Sequence, residues 1–215
     1  MATDLEAMKS LSAQWGISLF EDAAHGVDST FNGKPLGTFG SMGCYSFHAS
    51  KNIHAGGSGG VLLVNDKKYD PIVLETIYQG TNRVDFFEGK VSSYQWQRLG
   101  GAYEMSPYGL AFLNTSLLDV KRVTAHRQAL WMRYYEALLP LELKGFFTLR
   151  HTGPANAHIF YLILKEKAWR KGLQNYLAEK EIEAFTHYEP LHLSKAGFKY
   201  GTAVAALTNT ERVAQ

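Results

Sequence analysis

Apolar residues along the chain change period several times, and each change marks an element. Leu5, Met8, Leu11 and Trp15 recur at helical spacing and Gly16 follows them, which predicts a helix over 5–16. "ISLFED" (17–22) is a short apolar run ending in acids and predicts a strand. "GCYSFHAS" (43–50) and "GGVLLVND" (59–66) predict two more, joined through a loop that contains Lys51. Lys68 to Gln79 reads as helix closed by Gly80, and 81–105 is aromatic and rich in turn residues, hence irregular. Pro107 to about Leu139 is helical, with a break near Asn114–Asp119. "GFFTLR" (145–150) and "AHIFYLILK" (157–165) predict strands, 168–181 an amphipathic helix and "IEAFTHY" (182–188) a last strand.

Helices and strands in this order predict an α/β sheet followed by a smaller α+β part, with the boundary near residue 120. The first three strands are nearly continuous apolar runs, as in a sheet covered on both faces. Thr208 and Glu211 form the S/T-x-x-E pattern of a capping box and predict a helix start, yet the chain ends four residues later at Gln215. On that count the chain is expected to be a piece of a longer protein.

Charge narrows the partners. Lys and Arg total 22 against 20 Asp and Glu, so the net charge of +2 gives no support for nucleic acid or an acidic membrane surface. No apolar run is long enough to span a bilayer. A single cysteine, Cys44, excludes an internal disulfide and fits a reducing, cytoplasmic compartment. His25, His48 and His54 lack the spacing of a metal site with a second ligand cluster.

The candidate chemistry lies in "EDAAHG" (21–26) and "SFHASKN" (46–52). Asp22 ends one strand and Lys51 follows another. In α/β sheets the carboxyl ends of the strands open on a shared crevice, so a carboxylate and a lysine can face one ligand there. Pyridoxal phosphate (PLP) needs both: a lysine for its imine and an acid for its pyridine nitrogen. Ser46 offers a hydroxyl to a phosphate, and the small residues 55–60 let backbone approach a ligand. Taken singly, each residue has an ordinary reading. The acid can cap a turn, the lysine can be solvated, and "GGSGG" can be a flexible connection.

Together, "EDAAHG", "LGTFGSMGCYSFHASKN", "AGGSGGVLLVND" and "GTNR" resemble the sugar-nucleotide aminotransferases of the DegT/DnrJ type, PLP enzymes of fold type I. The resemblance continues in order through "YQWQRLGGAYEMS" (94–106), "RQALWMRYYEALLPL" (127–141), "NAHIFYLIL" (156–164) and "HYEPLH" (187–192). It implies that Lys51 carries PLP as a Schiff base and moves the proton in transamination. It implies that Asp22 pairs with the pyridine nitrogen, that His25 lies beside the ring and its 3-hydroxyl, and that Ser46 binds the phosphate. His187 and Tyr188 match a segment near the sugar-nucleotide site.

The implied reaction takes an amino group from glutamate to a nucleotide-linked 4-keto-6-deoxy sugar, of the dTDP-4-keto-6-deoxyglucose type. The implied domains are 1–120, the C-terminal part of the large PLP-binding domain, and 121–215, a truncated small domain. The implied assembly is a homodimer with shared active sites, with 81–105 as candidate shared surface. Retention of Lys51 sets the chain apart from the family's dehydratases, which carry His there. A non-catalytic or regulatory relative is the other reading. Ser58, Pro107 and Glu189 stand where relatives commonly have Glu, Asp and an apolar residue, and these positions bear on substrate choice. The family begins well before "LEAMKS", so the chain alone is expected to be inactive and poorly folded.

Overall fold

The computed structural model of the chain describes residues 3–149, 153 and 155–214. They form two compact units, Met1–Met132 with Thr152–Ile159, and Arg133–His151 with Phe160–Gln215. The division falls inside one long helix.

In the first unit, helix α1 (Leu5–Trp15) starts where the Asp4 carboxylate accepts from the Ala7 N–H at 3.0 Å. It stops at Gly16, whose φ of 63° is the left-handed cap conformation. Strand β1 (Phe20–Asp22) is shorter than the apolar run 17–22 that announces it. A small hairpin follows, β2 (Thr30–Phe31) and β3 (Lys34–Pro35), turned by Asn32 and Gly33, both at positive φ. Strands β4 (Met42–Ser46) and β5 (Gly60–Val64) complete a three-stranded sheet in the order β1-β4-β5. β1 runs parallel to β4, with Asp22 opposite Cys44, and β5 returns antiparallel, with Ser46 opposite Gly60.

Register divides the sheet into two faces. Asp22, Cys44 and Ser46 project to one side, and Glu21 and Tyr45 to the other. On the second side the Glu21 carboxylate is 9% exposed and accepts from three backbone N–H groups, those of Gly37 (2.8 Å), Gly40 (2.7 Å) and Phe39. The Tyr45 hydroxyl donates to the Leu36 carbonyl. Segment 36–40 is thereby drawn onto the sheet, so closely that a Cβ at Gly43 would lie 2.1 Å from the Gly37 oxygen. Only glycine fits at 43.

A 3-10 turn (Lys67–Tyr69) leads into α2 (Asp70–Ile77), and Gly80 closes the stretch at φ 74°. The irregular segment 81–105 holds one short helix, α3 (Arg83–Phe87), and two isolated bridges, Tyr78 to Ala102 and Thr81 to Trp96. Helix α4 (Pro107–Leu118) is capped by Ser106, whose Oγ accepts from the Gly109 N–H. Asp119 breaks the helical stretch before α5 (Val120–Leu143).

The second unit contains β6 (Phe147–Thr148) paired antiparallel with β7 (Ile163–Leu164), then α6 (Trp169–Glu179), α7 (Lys195–Tyr200) and α8 (Thr208–Ala214). Three expectations change in the C-terminal part of the chain, beyond α5. The run 157–165 pairs only at its end, because the carbonyls of Ala157, His158 and Ile159 accept from Arg127 and Trp131 side chains on α5 instead of from a strand. Residues 182–188 form no strand: among the described residues no strand lies beside them, and the Ile182 N–H turns back to the Leu177 carbonyl at the end of α6. At α8, Thr208 is the first helical residue rather than the cap. The Glu211 carboxylate lies 3.2 Å from His192 Nε2 instead of reaching back to a cap N–H. Residue 150, at the end of the expected strand 145–150, lies outside the described residues. No helix is long and apolar enough to cross a membrane among the described residues.

Candidate active site

Parallel pairing sends β1 and β4 out at the same edge of the sheet. Asp22 is the last residue of β1 and Ser46 the last of β4, so a carboxylate and a hydroxyl stand at one edge on one face. Asp22 is exposed, and its Oδ1 accepts from the Ala24 N–H at 3.0 Å. Cys44 is the nearest neighbour on that face, its Sγ 3.9 Å from the same oxygen. Burial pushes the Cys44 thiol up from its ordinary pKa, and the charge of Asp22 pushes it further. Opposite Ser46, Gly60 contributes no side chain.

The loop from β4 to β5 leaves this same edge and carries Lys51. Two buried apolar residues, Phe47 and Ile53, pin the loop from below, packed with Ala55 and Leu113 of α4. Backbone bonds from Phe47 N–H to the Gly59 carbonyl (2.8 Å) and from Ala55 N–H to the Phe47 carbonyl (2.9 Å) close its base. At the tip, the Lys51 N–H donates to the His48 carbonyl at 2.9 Å, and His48 Nδ1 lies 2.9 Å from Ser50 Oγ. The Ser46 Oγ accepts from the His48 N–H at 3.4 Å. Lys51 is half-buried. The glycines after it are therefore part of a folded connection between paired strands, not a free linker.

His25 follows β1 in the turn that Asp22 opens, and its ring lies against that of His158, centroids 4.1 Å apart. Asp22, His25, Ser46 and Lys51 thus all lie on segments leaving one sheet edge. His187 and Tyr188 belong to the other unit, where their rings contact each other at 4.4 Å and Tyr188 takes φ 68°.

A second group of residues lies among these segments, and apolar periodicity gives no sign of it. The side-chain amide of Asn156 donates to the carbonyls of His25 (2.7 Å) and Val27 (2.8 Å). Its backbone carbonyl accepts from Asn52 Nδ2 at 2.8 Å, and Asn52 Oδ1 lies 2.9 Å from His158 Nδ1. Arg127 holds the same stretch from α5, through the carbonyls of Ala157 (3.1 Å) and His158 (2.9 Å). Burial draws the Arg127 guanidinium down from its usual pKa. Asn52 could have been suspected as the neighbour of Lys51. Asn156 carries no local signal, since its partners lie more than a hundred residues away.

A carboxylate, a hydroxyl and a half-buried lysine at one strand edge form a donor set that fits PLP: an acid for the ring nitrogen, a donor for a phosphate oxygen and an amine for the aldehyde. The comparisons with known proteins bear on the family and the fold. A Geobacillus stearothermophilus protein described as "Pleiotropic regulatory protein" is 27% identical over 222 residues, which cover 99% of this chain and 55% of that protein. A DegT DnrJ EryC1 StrS aminotransferase from Brucella abortus superposes with a TM-score of 0.83 at 22% identity, over 100% of this chain and 54% of its own. GDP-4-keto-6-deoxy-D-mannose-3-dehydratase from E. coli, solved with bound hydrated PLP, gives 0.80 at 21% identity, over 99% and 58%. At such identities these two structures establish the fold, the α/β architecture of PLP enzymes of type I. The chain spans about half the length of the curated relative it matches. The description of one family covers residues 1–215, including both strand ends and the lysine loop: this chain belongs to the DegT/DnrJ/EryC1/StrS aminotransferase family.

Proposed function

We propose that the protein containing this chain is a PLP-dependent aminotransferase that moves an amino group from glutamate to a nucleotide-linked 4-keto-6-deoxy sugar. The dTDP-4-keto-6-deoxyglucose type is the expected substrate and dTDP-4-amino-4,6-dideoxygalactose the expected product. The observation that carries this reading is Lys51, held half-buried at the sheet edge where Asp22 and Ser46 also end. The domain assignment that goes with it is 1–120 for the large cofactor domain and 121–215 for the small one. The assembly is a homodimer in the cytoplasm with shared active sites, the surface being 81–105.

When bound, PLP supplies an electron sink for the negative charge that develops at the carbon bearing the amine. Asp22 holds the proton on the ring nitrogen through a charge-assisted hydrogen bond, the stronger kind. The Ser46 hydroxyl donates to the phosphate and fixes the cofactor's orientation. His25 would lie beside the ring. Lys51 Nζ would tether the cofactor and then move the proton. His187 and Tyr188 are assigned to the sugar nucleotide.

A second reading, a non-catalytic or regulatory relative that retains the fold, is supported by the likeness to the protein described as "Pleiotropic regulatory protein". One assay separates the two. The holoprotein is incubated with glutamate and a panel of nucleotide 4-keto sugars, and amino-sugar formation is followed by mass spectrometry. Conversion of a 4-keto sugar at the expense of glutamate supports the aminotransferase. Binding of a sugar nucleotide with no product over the whole panel supports the regulatory relative.

A further inference from the structure

The turn that follows Asp22 and the loop that carries Lys51 leave two paired strands, and Val27 of the turn packs against the cluster that holds the loop's buried Phe47 and Ile53. Polar bonds between them run through a third segment, residues 156–158. Asn156 is 7% exposed and spends its amide on the His25 and Val27 carbonyls, two acceptors in the first turn. Its backbone carbonyl and the His158 ring take both ends of the Asn52 side chain in the second loop. The His158 N–H closes the segment on itself by donating to Asn156 Oδ1 at 3.3 Å. Behind it, the Arg127 fork and Gln128 hold the carbonyls of 155, 157 and 158. Within the segment Ala157 takes a φ of 51°, and Ala155 just before it 39°, conformations a non-glycine residue adopts only when its surroundings impose them.

We propose that Asn156 and Asn52 are positioning residues: through segment 156–158 they set the lysine loop against the Asp22–His25 turn, and so set Lys51 relative to the cofactor ring. The inference rests on the reading of Lys51 as the cofactor lysine. Neither asparagine need touch the cofactor. Asn156 acts on the backbone carbonyl of His25, and Asn52 is the neighbour of Lys51. A misplacement of about 1 Å at a reacting group can cost on the order of a hundredfold in rate.

The test uses the holoprotein and the variants Asn156→Ser and Asn52→Ser. Asn52 is less buried than Asn156, so its variant remains informative if Asn156→Ser does not fold. Three quantities are measured: the site of borohydride labelling, the visible circular dichroism per bound PLP, and the glutamate half-reaction. Expected are label on Lys51 throughout, a visible signal at least halved, and kcat lower by about tenfold or more with the glutamate KM within about threefold. The double variant is expected within about twofold of the worse single one, because both act through one segment. A residue that merely supports stability would lower the thermal midpoint and leave the visible signal per cofactor unchanged. Label on Lys51 with signal and kcat within about twofold of the parent in both variants overturns the inference alone. Label on another lysine overturns the assignment of Lys51, and the inference with it.

Discussion

Cys44 and Asp22 face each other across the parallel pair β1–β4, with the thiol Sγ 3.9 Å from the carboxylate Oδ1. The thiol therefore reports on the charge of the carboxylate. Burial and then the Asp22 charge raise its pKa, so at neutral pH Cys44 is protonated and reacts slowly, and faster as pH rises. Asp22→Asn removes the charge and lowers the thiol pKa. In the apoprotein, modification of Cys44 by a disulfide reagent at pH 8 should speed up, because more of the thiol is ionised at that pH. An unchanged rate would mean that the two groups do not share a face.

The same substitution probes the cofactor. Asp22→Asn keeps the shape of the side chain and removes the charge that holds a proton on the ring nitrogen. A charge-assisted hydrogen bond is worth about 1.5–3 kcal/mol, and more where it strengthens in the transition state. PLP should still bind, and the glutamate half-reaction should slow by about tenfold to a hundredfold or more. Equal half-reaction rates in stopped-flow absorbance would exclude Asp22 from the cofactor site.

Glu21, one residue earlier, points the other way and has a different task. Its carboxylate serves three backbone N–H groups of segment 37–40. Glu21→Ala leaves all three without that acceptor, and the expected loss is about 3 kcal/mol or more. Glu21→Gln keeps one acceptor oxygen and should lose less. Urea unfolding of the two variants beside the parent measures both, and a loss under about 1 kcal/mol for Glu21→Ala would contradict the account.

Gly43→Ala tests the same approach from the strand. A methyl group 2.1 Å from the Gly37 oxygen forces segment 37–40 off the sheet. The cost should fall in the range of about 1–3 kcal/mol typical of overpacking, or above it. A variant as stable as the parent would show that the segment is not seated there.

The three-stranded sheet, the helices α1, α2, α4, α5 and α6 and the lysine loop were legible because their information is local, whereas α3 lies in the stretch expected to be irregular and α7 had no periodic sign. Leu5 to Trp15 repeats with helical period, and Val61 to Val64 is an apolar run. Asp22 and Lys51 stood out because chemistry-bearing residues followed apolar runs. The two-strand hairpin also had a local sign, Asn32-Gly33, but its strands of two residues each carry no periodicity. What could not be read depends on distant partners. Residues 182–188 look like a strand in isolation, and only the absence of a neighbouring strand among the described residues leaves them irregular. Asn156 gains its place from carbonyls 129 and 131 residues away. At the C-terminal pattern Thr208 is itself the first residue of α8, and His192 engages the Glu211 carboxylate that a capping box would use.

The most direct measurement is the site of covalent attachment. Holoprotein with its visible PLP band is reduced with borohydride, digested, and the labelled peptide is sequenced by mass spectrometry. The account predicts a single label, on Lys51, and loss of both band and label in Lys51→Ala. Label on Lys34 or Lys67 instead, or a visible band that survives Lys51→Ala, would contradict it.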